Sequence, residues 1–95
     1  MDRSVKQLSK MVDDFIKKTG GYWKPLGLFS ALVEEIGEVA EIFRKISLGE
    51  EKYIDDLEIE LGDVFFALIC IANYYKIDLE TALLKTLTKY KKRIK

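Results

Sequence analysis

The sequence predicts an all-α protein, an antiparallel bundle of four main helices, and three observations lead there. Apolar residues recur at intervals of three and four along most of the chain, the spacing that lines one face of a helix. The pattern is broken by helix-ending or helix-opening residues at Gly20-Gly21, Gly49 and Asp78. Acidic residues also fall three apart inside the apolar segments, as they do on a helix face. Nothing in the periodicity reads as a strand.

Each helix has its own signals. Val5, Leu8, Val12 and Phe15 set a first helix from about Asp2 to Lys18, stopped by Gly20-Gly21. A loop bearing Tyr22, Trp23 and Lys24 leads to Pro25, the only proline, which opens the second helix. Phe29, Leu32, Val33, Ile36, Val39, Ala40, Phe43 and Ile46 mark that helix, and Gly49 marks its end. The third helix starts near Glu51 and runs through Ile54, Leu57, Leu61 and Val64 to about Tyr75. Its stretch from Val64 to Ala72 is apolar on every side and must be covered on every side. Three partner helices of one small chain can hardly do so, which predicts a subunit interface: a homodimer at least, or a homotetramer built as a dimer of dimers. Asp78 caps a fourth helix carrying Leu83, Leu87, Tyr90 and Ile94.

Composition narrows the function. The 95 residues form one domain, 1–95, with a small core that oligomerisation would supplement. Sixteen basic and 16 acidic residues balance, so neither a membrane nor a specific nucleic acid is expected as partner. The charges are segregated, however: eleven acids against three bases between Leu32 and Asp63, and six bases with no acid from Lys85 to Lys95. An acidic middle suits a cation and a basic end suits an anion. Histidine is absent, which excludes His-based triads and imidazole zinc sites. A lone Cys70, no apolar signal core at the N-terminus and a longest apolar run of nine residues predict a soluble, cytoplasmic protein.

Two acidic pairs carry the chemistry. Glu35 with Glu38, and Glu60 with Asp63, lie three apart, which puts each pair on one helix face. Glu35 sits between Leu32 and Val39, and Glu60 between Leu57 and Val64, positions where a purely structural helix would place Leu or Ile. An unpaired carboxylate set into such a stripe is costly. Oxygen ligands gathered across a helix–helix contact are what Mg²⁺ or Mn²⁺ requires, and that points to phosphate chemistry.

The two motifs, Glu34-Glu35-x-x-Glu38 and, after twenty-one residues, Glu60-x-x-Asp63, resemble the pattern of the all-α nucleoside triphosphate pyrophosphohydrolases. The strings Leu32-Val-Glu-Glu-Ile-Gly-Glu-Val-Ala-Glu41 and Glu60-Leu-Gly-Asp-Val-Phe-Phe-Ala-Leu68 are most similar to single-domain MazG proteins. The similarity continues through Lys76-Ile-Asp-Leu-Glu80 and covers roughly Trp23 to Arg93. It implies a MazG-like fold with Glu35, Glu38, Glu60 and Asp63 as metal ligands for Mg²⁺, or Mn²⁺. Glu34 would be a fifth catalytic carboxylate that orients a ligand or a water. The implied reaction is cleavage of a nucleoside triphosphate, NTP or dNTP, to the monophosphate and pyrophosphate, as nucleotide-pool house-cleaning. Cys70 and Leu87 stand where many relatives carry asparagine, which leaves base preference open.

Other residues fit that chemistry. Lys89 and Arg93, four apart on the last helix, are placed to meet phosphate oxygens, Arg93 through a bidentate fork. Trp23, just ahead of the first acidic motif, offers a face for a nucleobase or a plug for the end of the bundle. The alternative to an enzyme is a catalytically weak helical oligomer that binds nucleotides and regulates.

Overall fold

The structure, a computed structural model, describes residues 2–48 and 51–94. Four α-helices follow in order: α1 (Val5–Lys18), α2 (Pro25–Ser47), α3 (Ile54–Tyr74) and α4 (Leu79–Arg93), with a single 3₁₀ turn over Glu51–Tyr53. Among the described residues there is no strand, and no helix is long and apolar enough to cross a membrane.

Local chemistry sets the helix ends. The first helix begins three residues later than the expected Asp2, because Ser4 and Gln7 form a reciprocal cap. The Ser4 hydroxyl accepts from the Gln7 N–H at 3.0 Å, and the Gln7 side chain accepts from the Ser4 N–H at 2.7 Å. At its other end Gly20 and Gly21 take positive φ of 110° and 86°, and the Gly21 N–H closes on the Ile16 carbonyl at 2.9 Å. Pro25 opens α2 as the sequence predicts. Gly49, expected to end that helix, lies outside the described residues, and α2 stops at Ser47. The chain near Glu51 is 3₁₀ rather than α, so α3 proper starts at Ile54. Lys76 takes the left-handed φ of 57° that ends α3, with the Ile77 N–H on the Ala72 carbonyl at 2.8 Å. The Asp78 carboxylate then accepts the Glu80 N–H at 2.9 Å and the Thr81 N–H at 3.3 Å to cap α4.

The core lies between α2 and α3. Glu35 of α2 meets Glu60 and Asp63 of α3, while Lys45, ten residues further along α2, lies over Tyr53 just before α3, so the two helices run antiparallel. α1 packs on α3, and α4 leans on α1. Buried apolar side chains among the described residues are Leu28, Ile42, Ala67, Ile69, Cys70 and Ala72. The apolar stretch of α3 therefore divides: Ala67, Ile69, Cys70 and Ala72 are covered within the chain, while Phe65, Phe66 and Leu68 remain partly exposed.

A second apolar face was not expected. α2 buries Leu28 and Ile42 toward α3, yet Leu26, Phe29, Val33, Ile36, Ala40 and Phe43 are exposed on its outer side. Their spacing alternates three and four, the seam of a coiled coil. The sequence pattern shows these residues as part of one broad apolar helix; only the structure separates the inward stripe from the outward one.

The small core makes each buried residue expensive to lose. Ile69 is 3% exposed, so Ile69→Ala is expected to cost roughly 2–5 kcal/mol in urea denaturation. A loss under about 0.5 kcal/mol, the range of ordinary surface substitutions, would contradict its place in the core.

Candidate metal centre

Helical geometry brings the acidic motifs together. Glu60 and Asp63 lie one turn apart on α3, and Glu35 faces them from α2. One carboxylate oxygen from each of Glu35, Glu60 and Asp63 lies within 4.8 Å of the other two. Glu35 and Glu60 are half-buried and Asp63 is exposed. Glu38 does not join this three-oxygen group, but its charge acts on both Glu35 and Glu60, which places it at the edge of the cluster. Glu34, the residue before Glu35, is exposed.

The charges that act on Glu35 and Glu60 are those of neighbouring carboxylates, and the ion pairs Lys10–Asp14, Lys17–Asp13 and Arg44–Glu41 lie elsewhere. The electrostatic result is visible in the acids. Partial burial raises the Glu35 carboxyl above its usual range, helped by Asp63, Glu60, Glu38 and Glu34. Glu60 is raised in the same way, first by burial and then by Asp63, Glu38 and Asp56. Three oxygen donors that converge among like charges fit a hard divalent ion, which takes carboxylate and water ligands.

Two of the three acids, Glu35 and Asp63, line a cavity of about 450 Å³. Leu28, Ala31, Phe66 and Ala67 give it apolar walls, with Cys70 alongside. Gly21, Tyr22 and Trp23 of the α1–α2 loop contribute the remaining side. Trp23 borders this cavity with its side chain largely exposed. Burial raises the Cys70 thiol, so it stays protonated and serves as lining, not nucleophile. Lys89 and Arg93 do not line this cavity. Both lie over the ring of Tyr90 on α4, at 5.0 Å and 5.4 Å from its centroid.

Tyr22, Asn73 and Asp13, which meet beside this cavity, carry no motif in the sequence. The one local hint is that the loop between two glycines and a proline holds two adjacent aromatics, an arrangement that needs a fixed backbone to be useful.

An α-helical hairpin that brings a carboxylate cluster to the lining of a largely apolar cavity defines a class: all-α proteins with an acidic centre suited to a divalent cation. Comparison with known proteins makes this specific. The MazG nucleotide pyrophosphohydrolase domain matches residues 24–95. The YpjD protein of Bacillus subtilis (strain 168) is 35% identical over 99 residues, covering 99% of this chain and 89% of that one. The nucleoside triphosphate pyrophosphohydrolase/pyrophosphatase MazG of Thermotoga maritima is 28% identical over 89 residues, which are 93% of this chain but 31% of that longer protein. Among solved structures, the Bacillus-conserved MazG protein, a nucleotide pyrophosphohydrolase, superposes with a TM-score of 0.80 at 38% identity, covering 94% of this chain and 90% of its own. The YpjD structure superposes with a TM-score of 0.78 at 34% identity, covering 96% and 98%. The chain belongs to the MazG nucleotide pyrophosphohydrolase family and is an enzyme of the hydrolase class.

The raised acids give the metal-free protein a pH signature. A folded carboxyl whose pKa lies above its unfolded value binds its proton more tightly when folded. Its contribution to stability is full below the ordinary glutamate value of 4.5 and is lost as pH climbs through the raised one. Wild type is therefore expected to lose melting temperature relative to Glu60→Gln as pH rises above that value, with Mg²⁺ removing the difference. Parallel pH profiles for the two proteins without metal would refute the cluster's electrostatics.

Proposed function

We propose that the chain hydrolyses nucleoside triphosphates to nucleoside monophosphate and pyrophosphate, with Mg²⁺ or Mn²⁺ held by Glu35, Glu38, Glu60 and Asp63. The observation that supports this most strongly is the convergence of the Glu35, Glu60 and Asp63 oxygens within 4.8 Å, where the charges acting on both glutamates are other carboxylates. A divalent ion supplies, when bound, neutralisation of phosphate charge and acidification of water. The chain's residues do the rest. Glu35 and Asp63 fix where the phosphates sit relative to the cavity that they border. Glu34, exposed one residue before Glu35, is placed to orient the attacking water or accept its proton. Trp23 stacks on the base, and the apolar walls exclude water from that part of the substrate. Few side chains in that wall donate or accept hydrogen bonds, which suits loose base selectivity and a role in clearing nucleotides from the pool.

Assembly belongs to the same reading. The exposed coiled-coil seam on α2, from Leu26 to Phe43, calls for an apolar partner, and we assign it to a second copy of this chain as a homodimer or as part of a homotetramer. Lys89 and Arg93 would reach the distal phosphates only if assembly brings α4 over a cluster that it does not border in the single chain. Phe29→Lys places a charge in the seam and is expected to lower the mass seen by light scattering while leaving the helical circular dichroism intact. An unchanged oligomer would move the interface elsewhere.

Reaction in ¹⁸O-labelled water tests the chemistry: label in the monophosphate supports attack at the α phosphorus, and label in orthophosphate contradicts it. Asp63→Asn and Glu38→Gln keep shape and remove ligand charge, so activity should fall by about two orders of magnitude or more, on the scale of losing electrostatic stabilisation of a transition state. Their melting temperatures without metal should hold level or rise. Full activity in both variants would show that the ligands are assigned wrongly.

A further inference from the structure

Outside the acidic cluster, the described polar side chains that join three elements meet at one place, beside the cavity. The Tyr22 hydroxyl, in the α1–α2 loop, donates to Asp13 of α1 at 2.6 Å. The other Asp13 oxygen holds the Lys17 ammonium at 2.8 Å. One turn earlier on α1, the Ser9 carbonyl accepts from the Asn73 side chain of α3 at 2.9 Å, and the Asn73 amide also faces the Tyr22 hydroxyl. The Tyr22 ring stands edge-on to Tyr74, with centroids 6.5 Å apart. Loop and α3 are thus pinned to the same stretch of α1.

The loop needs such a pin. Gly20 and Gly21 turn the backbone through positive φ but, being glycines, hold it there weakly. Between the Gly21 N–H on Ile16 and the Leu28 N–H on Lys24, no backbone hydrogen bond anchors Tyr22, Trp23 or Lys24 by its own N–H. Yet Tyr22 and Trp23 line the same cavity as Glu35 and Asp63. The hydroxyl itself is engaged with Asp13, which borders the outer lysine-rich groove and not the cavity. It therefore has no proton to offer a ligand. Burial and the Asp13 carboxylate push the phenol up to about 12, so it remains a neutral donor to Asp13 throughout the working pH range.

We propose that Tyr22 is a positioning residue for the nucleoside end of the substrate: its hydroxyl, tied to Asp13 beside Asn73, holds the Gly20–Lys24 loop so that the Tyr22 and Trp23 rings wall the cavity before substrate arrives. This rests on the reading of the acidic cluster as the seat of the phosphates. Releasing the hydroxyl leaves the phosphate end untouched and makes substrate binding order the loop, a cost that appears in KM and not in the chemical step.

The test is Tyr22→Phe, assayed on the eight common NTPs and dNTPs with Mg²⁺. KM for the best-cleaved substrate should rise about tenfold, the worth of one hydrogen bond to a charged acceptor. The kcat and the affinity for Mn²⁺ alone should each stay within about twofold, inside the non-additivity of independent sites. Asp13→Ala should reproduce the KM rise, Asp13→Asn, which keeps an acceptor oxygen, should restore most of it, and the double variant Asp13→Ala/Tyr22→Phe should be no worse than either single change. An unchanged KM, or KM, kcat and Mn²⁺ affinity worsening together, overturns the proposal while leaving the pyrophosphohydrolase reading intact. If wild type cleaves none of the eight, that reading fails instead. Dissociation constants from the fluorescence of Trp23, the only tryptophan, then take the place of KM: tenfold weaker binding by Tyr22→Phe supports the positioning role, and equal or absent binding overturns it.

Discussion

Mutual repulsion among Glu35, Glu60 and Asp63 is the constraint around which the rest of this chain is arranged. Like charges this close disfavour the helix pair that carries them, and the charges that act on Glu35 and Glu60 are those of other carboxylates. The α2–α3 hairpin has to be held by what lies beyond the cluster. On one side it has the Leu28, Ala67, Ile69, Cys70 and Ala72 packing, and along α2 it has Ile42. A helix pair assembled against repulsion at its middle is a stored demand for a cation. The same arrangement that weakens the metal-free fold gives a divalent ion a reason to bind.

The demand for covering surface extends to the whole molecule. Leu26 is 77% exposed and Phe29 57%, both on the outward stripe of α2, while Leu83, Leu84 and Leu87 of α4 are also open. Scattered exposed apolar residues are ordinary, but a continuous stripe at coiled-coil spacing is not. The single chain is thus a frame that leaves two tasks undone, neutralising its acids and covering its apolar faces. On the proposed reading a bound cation and a second copy answer these separately, which fits a cluster placed at the α2–α3 contact and a seam placed on the opposite side of α2.

Much of this was legible in the sequence because it rests on local geometry. Pro25 and Asp78 open helices by rules that act within a few residues, and carboxylates three apart on a helix share a face wherever the helix goes. That Glu35 meets Glu60 and Asp63 follows once α2 and α3 are antiparallel. Features that depend on rotation about a helix axis or on long-range contacts were not legible. The sequence shows α2 as one apolar helix and cannot say that Val33 and Ile36 point away from the side that buries Leu28. Tyr22 reaches Asp13 across nine residues, and Asn73 reaches Ser9 across sixty-four, so no spacing rule announces either bond. The apolar period alone carries the first helix back to Asp2, whereas the Ser4 cap that Gln7 completes sets its start. Lys89 and Arg93 satisfy a charge pattern, but where α4 packs decides what they can touch.

The central claim is that Glu35, Glu60 and Asp63 jointly hold a divalent cation beside the cavity that Glu35 and Asp63 line. Crystals grown with Mn²⁺ and measured at the manganese absorption edge test it most directly. The account predicts one or more anomalous peaks at coordination distance from oxygens of all three residues. Strong manganese peaks elsewhere, with none between α2 and α3, would contradict it.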